Sequence, residues 1–394
     1  MKRNLSIDIF RGLTMLLMIF VNDFWTVLDV PHGLEHFATF EDGMGLSDWV
    51  FPMFLFAMGM SVPYAIDRRF AKGFSATDTL RHIFGRTFAL LVMGTFIVNS
   101  EGGFAPLLGY SKGVWWLLML LGFFLIWNQK TNKWLRAAGV AVLLFLAVTF
   151  RTPDGELFRA SWWGILGQIG WMYLFTALAY LICREGLSDG WKSFAALLSV
   201  WILLCLVNLS VVPMRDGEQL LGGNFLSDCA AALHLGNGHS AIMSLGGMLL
   251  ILGERKASEK GRSAVSLAPW GFALAAVLAA AGDAAHSSWI ISKNLGTLPW
   301  CLYVSAISVA LYVLLRILEQ FGLTGWFRPF APAGTATLTV YMIPYIFYSL
   351  WVFCSPEIPA WLSGGVGVLK CGLFSILCLG VAHLTGRAGL KLKI

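Results

Sequence analysis

Twelve runs of mainly apolar residues, separated by short polar stretches, dominate this chain and leave few folds open to it. Each run approaches the ~20 apolar residues that one α-helix needs to cross a bilayer. Charged residues make up only 13% of the sequence, against about a quarter in soluble domains. We therefore predict an all-α, polytopic integral membrane helical bundle of 11–12 transmembrane helices that forms a single domain over residues 1–394. The predicted spans are 8–26, 48–66, 83–99, 113–127, 134–150, 161–183, 193–213, 239–253, 266–285, 298–318, 335–354 and 362–384.

The distribution of Lys and Arg predicts the topology, because cytoplasmic loops of membrane proteins carry an excess of both. With the N-terminus inside and one crossing per run, the inner loops hold Arg68, Arg69, Lys72, Arg81, Lys130, Lys133, Arg136, Arg184, Lys192, Arg255, Lys256, Lys260, Arg262, Arg316 and Arg328. The outer loops hold Lys112, Arg151, Arg159, Arg215 and Lys293. Both termini are therefore predicted to be cytoplasmic. The net charge of +6 reflects this topology, and we expect no nucleic-acid partner.

The first span carries an unusual set of polar residues on one helix face. Asp8, Arg11 and Asn22 follow helical spacing, so that Arg11 and Asn22 point the same way and Asp8 lies close to them. Polar side chains in a membrane helix usually face the bundle interior or an aqueous cavity, which favours a functional role. The alternative is that Asp8 and Arg11 only form an ion pair at the membrane interface.

The next candidates lie in the first outer loop and at the start of the second span. Asp48 falls in the first turn of that helix, where a carboxylate stabilises the free N–H groups and the helix dipole. His36 lies in a loop rich in carboxylates, where an imidazole can act in proton transfer. The alternative for His36 is a solvated loop histidine.

The same loop contains HGLEH, which fits the H-x-x-E-H pattern of inverted zinc peptidases. Such a site needs both imidazoles on one face of a rigid helix and a third ligand. Pro31 and Gly33 flank His32 and leave no room for a long helix. We therefore predict no metal site here.

A third group of candidates surrounds the segment AAAGDAAHSSWIISKNLGTLPW. Asp283 and His286 are spaced so that they can touch at a helix end, as in a carboxylate-oriented imidazole. Lys293 followed by Asn294 can anchor an anionic or hydroxyl-rich ligand, although a lysine at the lipid headgroups is the alternative. The loop HLGNGHSAIMSLGG adds His234 and His239 as candidate lining of a cavity.

Several stretches together resemble one known family. SIDIFRGLTMLLMIFVN followed by GLSDWVFPMFLFAMGMSVP resembles the opening of the heparan-α-glucosaminide N-acetyltransferase family and its bacterial relatives. The family pattern is S-x-D-x-F-R-G, then V-N, then a loop His, then D-x-V-F-P-x-F-x-F-x-x-G. KNLGTLPW and APAGTATLTVY are similar to two later motifs, and WWGILGQIGWMYLFTALAYLI is similar to the bacterial branch.

The resemblance implies a membrane-bound acyltransferase of the bacterial inner (cytoplasmic) membrane. It would move an acetyl group from cytoplasmic acetyl-CoA, its co-substrate, to an amine or hydroxyl of a sugar on the periplasmic side. The resemblance assigns catalysis to His36, with assistance from Asn22, and matches Asp48 to the family's acidic residue. His36 would either remove the acceptor's proton or carry the acetyl group transiently. The loop is longer than in the family, which leaves His32 as the alternative to His36.

The remaining candidates are binding residues. The phosphates of CoA are expected at Arg11, Arg68 and Arg69, with Asp8 beside Arg11, by charge complementarity. A glycan or amino-sugar acceptor is expected near the outer-side candidates: Lys293, Asn294, Asp283, His286 and His239. The other partner is the lipid bilayer, and a homodimer is left open.

A secondary transporter of a small solute is the alternative function. Twelve spans with both ends inside suit such a carrier, whose two halves are usually internal repeats. No motif recurs between the two halves of this chain, and its polar residues concentrate in the first span and the outer loops. These features favour the enzyme.

Overall fold

The computed structural model is all-α, and it describes residues 4–186, 190–220, 228–229, 232, 237–354 and 357–394. Within these residues there is no β-strand beyond two isolated bridges. Twelve helices of 16 residues or more, α1 to α12, are described: Leu5–Asn22, Leu46–Ala71, Ala76–Glu101, Lys112–Trp127, Lys133–Thr149, Ile165–Gly186, Gly190–Val211, His239–Glu259, Ala264–His286, Leu298–Gln320, Thr337–Cys354 and Gly364–Arg387. A short helix at Ala331–Thr335 and three 3-10 turns complete the described elements.

Each predicted span coincides with one of these helices, which confirms the predicted polytopic helical bundle. Nine of the described helices are long and apolar enough to cross a membrane by length and composition. The other three differ for simple reasons. α4 and α5 have only 16 and 17 residues, and α8 ends in the charged stretch GERKASE. The cytoplasmic location of both termini stays a prediction.

The chain divides into two compact units. The first comprises Met1–Thr14, Pro31–Phe84 and Trp171–Ala331. The second comprises Met15–Val30, Gly85–Gly170 and Pro332–Ile394. The expectation of a single functional domain stays a prediction.

In the first unit, α2 packs against α8 so closely that only glycine fits at two contacts. A Cβ added at Gly59 would lie 1.8 Å from the Ser244 carbonyl oxygen, and one at Gly247 would lie 2.0 Å from the Phe56 carbonyl oxygen. Small residues let helix backbones approach in this way and are typical of membrane helix interfaces. The helix α9 lies along α10, and α7 packs on α8. This packing fixes the start of α2 beside the loops that carry the candidate site.

In the second unit, α4 pairs with α5 through glycines that face each other. A Cβ at Gly139 would lie 2.8 Å from the Leu125 Cβ and 3.0 Å from the Gly122 carbonyl oxygen. The helix α11 packs against both α4 and α12. The end of α1 is tied to α12 by a buried ion pair, in which Lys370 Nζ lies 2.7 Å from Asp23 Oδ2.

Candidate functional site

The loop before α2 is anchored to that helix by its backbone. Ser47 Oγ donates a hydrogen bond to the Leu34 carbonyl oxygen at 2.6 Å. A Cβ at Gly45 would lie 2.0 Å from the Glu35 carbonyl oxygen, so glycine is required where the loop enters the helix. These contacts hold the stretch around His36 against the first turn of α2.

Asp48 is buried in that first turn, and both of its carboxylate oxygens are used. Oδ2 accepts from the backbone N–H of Gly45 at 3.0 Å and of Phe37 at 3.1 Å. Oδ1 lies 2.7 Å from His36 Nδ1. The Trp300 indole N–H donates to the Asp48 carbonyl oxygen at 3.1 Å. Asp48 therefore serves the helix N-terminus, as the sequence predicts, and also holds the imidazole.

His36 presents one ring nitrogen to its surroundings. A carboxylate only accepts, so the hydrogen between Asp48 and His36 is assigned to Nδ1. Nε2 is then the nitrogen that carries the lone pair, and the His36 side chain is 53% exposed. A carboxylate that fixes the tautomer and orientation of an imidazole is the arrangement of a general base.

Lys293 lies against this pair from the loop between α9 and α10. Its Nζ is 3.0 Å from His36 Nδ1, 3.4 Å from His36 Nε2 and 3.9 Å from Asp48 Oδ1. Burial lowers the pKa of Lys293, although the Asp48 carboxylate opposes this shift. The ammonium is thus a poorly hydrated cation beside the reactive nitrogen, where it can stabilise negative charge.

Asn294 and Ser292 join the Lys293 loop to the His36 loop. Asn294 Nδ2 donates to the Phe37 carbonyl oxygen at 3.2 Å and contacts Thr39 Oγ1 at 3.5 Å. Ser292 Oγ donates to the Thr39 carbonyl oxygen at 2.8 Å. In this structure the Asn294 amide therefore positions the site, and its predicted contact with substrate stays a prediction.

His286 pairs with Asp42 and not with Asp283, so the predicted contact within α9 is wrong. His286 Nε2 lies 2.9 Å from Asp42 Oδ1, and Asp283 accepts a hydrogen bond from the Tyr303 hydroxyl. Arg215 Nη2 lies 2.6 Å from Asp42 Oδ2 and also donates to the His286 carbonyl oxygen. Burial alone would raise the pKa of Asp42, but hydrogen bonds from the Ile291 N–H, His286 and Arg215 hold it below its usual value. This cluster is a second connection between the loop before α2 and the segment between α9 and α10.

The two histidines of HGLEH contact different carboxylates. His32 Nε2 lies 2.7 Å from Glu41 Oε1, and its ring stacks on Phe37 with centroids 4.2 Å apart. His36 contacts Asp48. Because only the His36 partner is buried, the geometry favours His36 over His32 as the reactive residue.

His239, the first residue of α8, lies near the same site. Its ring centroid is 6.0 Å from that of Trp300, and a Cβ at Gly296 would lie 2.5 Å from its Nδ1. That Nδ1 is buried and makes no hydrogen bond within the described residues. The predicted cavity residue His234 lies outside the described residues.

The basic residues expected to bind CoA lie elsewhere in the first unit. Arg68 and Arg69 are in the last turn of α2, twenty or more residues beyond Asp48 and hence about 30 Å away along the helix axis. Arg69 Nη2 donates to the Asp78 carbonyl oxygen, and Arg68 is exposed. Asp8 and Arg11 are half-buried in the first part of α1. Their roles stay predictions.

Asn22, the last residue of α1, belongs to the second unit and is half-buried. The next residue, Asp23, is fully buried, and Lys370 Nζ donates to it and to Thr26 Oγ1 at 2.6 Å. Sequence reasoning missed this pair because Lys370 sits inside an apolar span. A lysine within such a span is itself a signal, since an intramembrane cation usually has a partner.

The fold and these contacts define a polytopic helical membrane protein with an imidazole–carboxylate pair and an adjoining ammonium at one end of α2. No protein-family model matches the chain. The chain is 33% identical to heparan-alpha-glucosaminide N-acetyltransferase of Mus musculus over 105 residues and to that of Homo sapiens over 106 residues. Each match covers 26% of this chain and 15% of the relative. The similarity supports a distant relationship to these acetyltransferases over a small part of their length.

Proposed function

We propose that this chain is a membrane-bound acyltransferase that transfers an acetyl group from cytoplasmic acetyl-CoA to an amine or hydroxyl of a sugar on the periplasmic side. The distant relationship to N-acetyltransferases supports a transferase. The observation that carries the proposal is the 2.7 Å contact between His36 Nδ1 and the buried Asp48 carboxylate. It leaves Nε2 oriented and partly exposed, as a general base must be.

In the proposed reaction, the nitrogen or oxygen of the acceptor attacks the thioester carbonyl carbon while His36 Nε2 takes its proton. The resulting imidazolium donates that proton to the CoA sulfur as the C–S bond breaks. Asp48 keeps the ring in place and balances its positive charge. General catalysis of this kind contributes typically 10²–10⁴-fold.

The oxyanion formed on the thioester carbonyl needs a hydrogen-bond donor. Lys293 Nζ lies 3.4 Å from His36 Nε2, so it reaches the space in which the reacting carbonyl must lie. A donor of this kind contributes roughly 3 kcal/mol. The family resemblance assigns an assisting role to Asn22, and its participation as a second donor stays a prediction.

The two ends of α2 suit a reaction that uses substrates from both sides of a membrane. Asp48 is in its first turn, and Arg68 and Arg69 are in its last. In the proposal these two arginines and Arg11, with Asp8 beside it, receive the CoA phosphates. The sugar acceptor then approaches at the opposite end of the helix, near Lys293.

The test measures transfer of labelled acetyl from acetyl-CoA to glucosamine by the purified protein in detergent. We expect His36→Ala to lower the rate at least about a hundredfold. The matched control is His32→Ala, which removes an imidazole from the same loop but leaves Asp48 untouched, and we expect it to keep most of the activity. Equal rates for wild type and His36→Ala would overturn the assignment. Uptake of a solute into proteoliposomes that contain no acyl-CoA would instead favour a transporter.

A further inference from the structure

The first unit contains a mainly apolar cavity of about 430 Å³ that the proposed function does not use. Five helices supply its walls: Phe56 from α2, Leu198 from α7, Leu250 from α8, Leu274 from α9 and Val309 from α10 all line it. The volume lies within the ~300–1,000 Å³ usual for small-molecule sites. Its lining residue on α2, Phe56, is eight residues from Asp48, or about 12 Å along the helix. The cavity is therefore distinct from the His36 site.

Two walls of the cavity belong to α7 and α9, the helices with the smallest share of buried residues among the candidate spans of the described residues. Only 22% of α7 and 11% of α9 are buried over their most apolar stretches, the lowest shares among the nine candidate spans of the described residues. Trp270 and Leu274 line the cavity and are 69% and 42% exposed. Exposed apolar side chains on a membrane helix face lipid, so a ligand can enter this cavity from the bilayer.

The length of the cavity corresponds to one leaflet. On α10 its lining runs from Arg316 to Ser305, and on α8 from Ala257 to Gly246. Eleven residues of helix span about 16 Å. One half of a hydrocarbon core about 30 Å thick is about 15 Å. An acyl chain lying along the cavity would therefore extend from the membrane surface to the bilayer midplane.

Charged side chains line the end of the cavity that is predicted to face the cytoplasm, and one arginine among them has no ion pair within the described residues. Arg262 and Arg316 both line it, together with Glu254. Arg316 is held in place because its Nε donates to Glu254 at 2.7 Å and its Nη1 to Glu319 at 2.9 Å. Arg262 is exposed and forms no ion pair within the described residues. Its charge is available to an anion at the membrane surface.

We propose that this cavity binds one acyl chain of an anionic phospholipid of the cytoplasmic leaflet, with the phosphate-bearing headgroup at Arg262. The apolar walls suit the chain, the exposed lining residues Trp270 and Leu274 suit a ligand that enters from the bilayer, and the unpaired Arg262 suits the headgroup. Basic residues at the cytoplasmic surface attract anionic lipids, whereas a zwitterionic lipid offers no net charge to them. The proposal is independent of the acyltransferase chemistry.

The experiment uses the full chain reconstituted in phosphatidylcholine vesicles with a small fraction of lipid brominated in its acyl chain. Trp201 lines the cavity, and its indole N–H donates to the Ile242 carbonyl oxygen at 3.0 Å. The quenching difference between wild type and Trp201→Phe isolates the signal of this one residue. We expect brominated phosphatidylglycerol to quench Trp201 at several-fold lower mole fraction than brominated phosphatidylcholine.

Two variants test the two parts of the site. Arg262→Gln should weaken the phosphatidylglycerol preference about fivefold, the effect of one cation near an anionic surface. The matched control is Lys260→Gln, an exposed cation of the same loop that is not among the cavity residues, and it should keep the preference. Gly253→Leu places a side chain in the cavity, where a Cβ meets only Phe194 at 3.8 Å, and should abolish the preference while the protein stays folded.

Three outcomes would overturn the assignment. One is equal quenching of Trp201 by the two brominated lipids, and another is a phosphatidylglycerol preference that survives both Arg262→Gln and Gly253→Leu. The third is displacement of brominated phosphatidylglycerol by added acetyl-CoA, which would assign the cavity to the soluble acyl donor. Quenching that acetyl-CoA leaves unchanged, and that both variants reduce, supports the lipid site whether or not the protein transfers acetyl groups.

Discussion

Replacing Asp48 with asparagine tests how far the candidate site depends on one buried carboxylate. The carboxylate accepts hydrogen bonds from three donors: the His36 ring at 2.7 Å, the Gly45 N–H at 3.0 Å and the Phe37 N–H at 3.1 Å. A carboxamide has nearly the same shape but only one accepting oxygen. Its NH₂ group must face either the imidazole or the two backbone donors.

The expected loss of stability and of rate follows from the number of donors that lose their acceptor. At least one buried donor loses its acceptor, which costs about 1–3 kcal/mol, and the remaining bonds lose their charge assistance. We expect Asp48→Asn to reduce the free energy of unfolding by roughly 3 kcal/mol. If the same loss applies to the imidazolium in the transition state, the rate falls about a hundredfold. The corresponding change in the serine-protease triad lowers kcat about 10⁴-fold, which sets an upper bound.

The assay combines a thermal melt with acetyl transfer from acetyl-CoA to glucosamine. The matched control is Asp42→Asn, the same chemical change on the same loop at a carboxylate that pairs with His286 and Arg215 but not with His36. We expect the control to lower the melting temperature and to leave the rate within about tenfold of wild type, because only loop tethering is lost. Equal rate losses in the two variants would refute an orienting role for Asp48.

Two further predictions rest on contacts of the candidate site, and a third tests the predicted topology. Burial lowers the folded-state pKa of Lys293, so between that pKa and its unfolded value near 10.5 the unfolded chain binds more protons and stability rises with pH. Lys293→Met should therefore raise the melting temperature at pH 7, and this increase should become smaller toward pH 10. The same variant should slow acetyl transfer. An increase in melting temperature that does not depend on pH would contradict the proposed effect of burial on Lys293. Gly45→Ala should displace the loop before α2, since its Cβ would lie 2.0 Å from the Glu35 carbonyl oxygen, and should cost more activity than Gly33→Ala, where a Cβ meets nothing within 4 Å. A fluorescent protein fused after Ile394 should fold and fluoresce, because the C-terminus is predicted to be cytoplasmic. A phosphatase that is active only in the periplasm, fused at the same position, should be inactive, and activity there would show that the predicted topology is wrong.

The helices could be predicted because each membrane helix satisfies its own backbone hydrogen bonds. Apolar length alone then identifies a span, with no knowledge of what packs against it. Even α8, whose second half carries Glu254, Arg255 and Lys256 and which is less apolar than its neighbours, is found at the predicted place. The unpredicted part is the assembly of these helices into two compact units, because that depends on glycine contacts such as Gly59 against Ser244. Such contacts leave no periodic signal in hydropathy.

In the candidate site, too, contacts between residues close in sequence could be predicted, and contacts that depend on helix packing could not. His36 and Asp48 are twelve residues apart, and a loop histidine near a helix-capping carboxylate could be expected from sequence. Lys293 is 257 residues from His36, so only the packing of α10 beside α2 brings them together. The expected Asp283–His286 contact failed for the same reason. Helical spacing permits it, but distant partners on the first loop and on α10 hold both side chains instead.

Three imidazole–carboxylate pairs occur among the described residues around the loop before α2, and they differ in how deeply the carboxylate is buried. The carboxylate of Glu41, beside His32, is 38% exposed, that of Asp42, beside His286, is 31% exposed, and that of Asp48 is 2% exposed. Exposed pairs contribute little because water and salt screen them, whereas a buried carboxylate must keep its partners. Asp48 already has two backbone donors on Oδ2 that satisfy the helix and the loop. Helix capping therefore does not account for Oδ1, whose hydrogen-bond partner is the His36 ring, and this contact is the basis of the orienting role that we propose for Asp48.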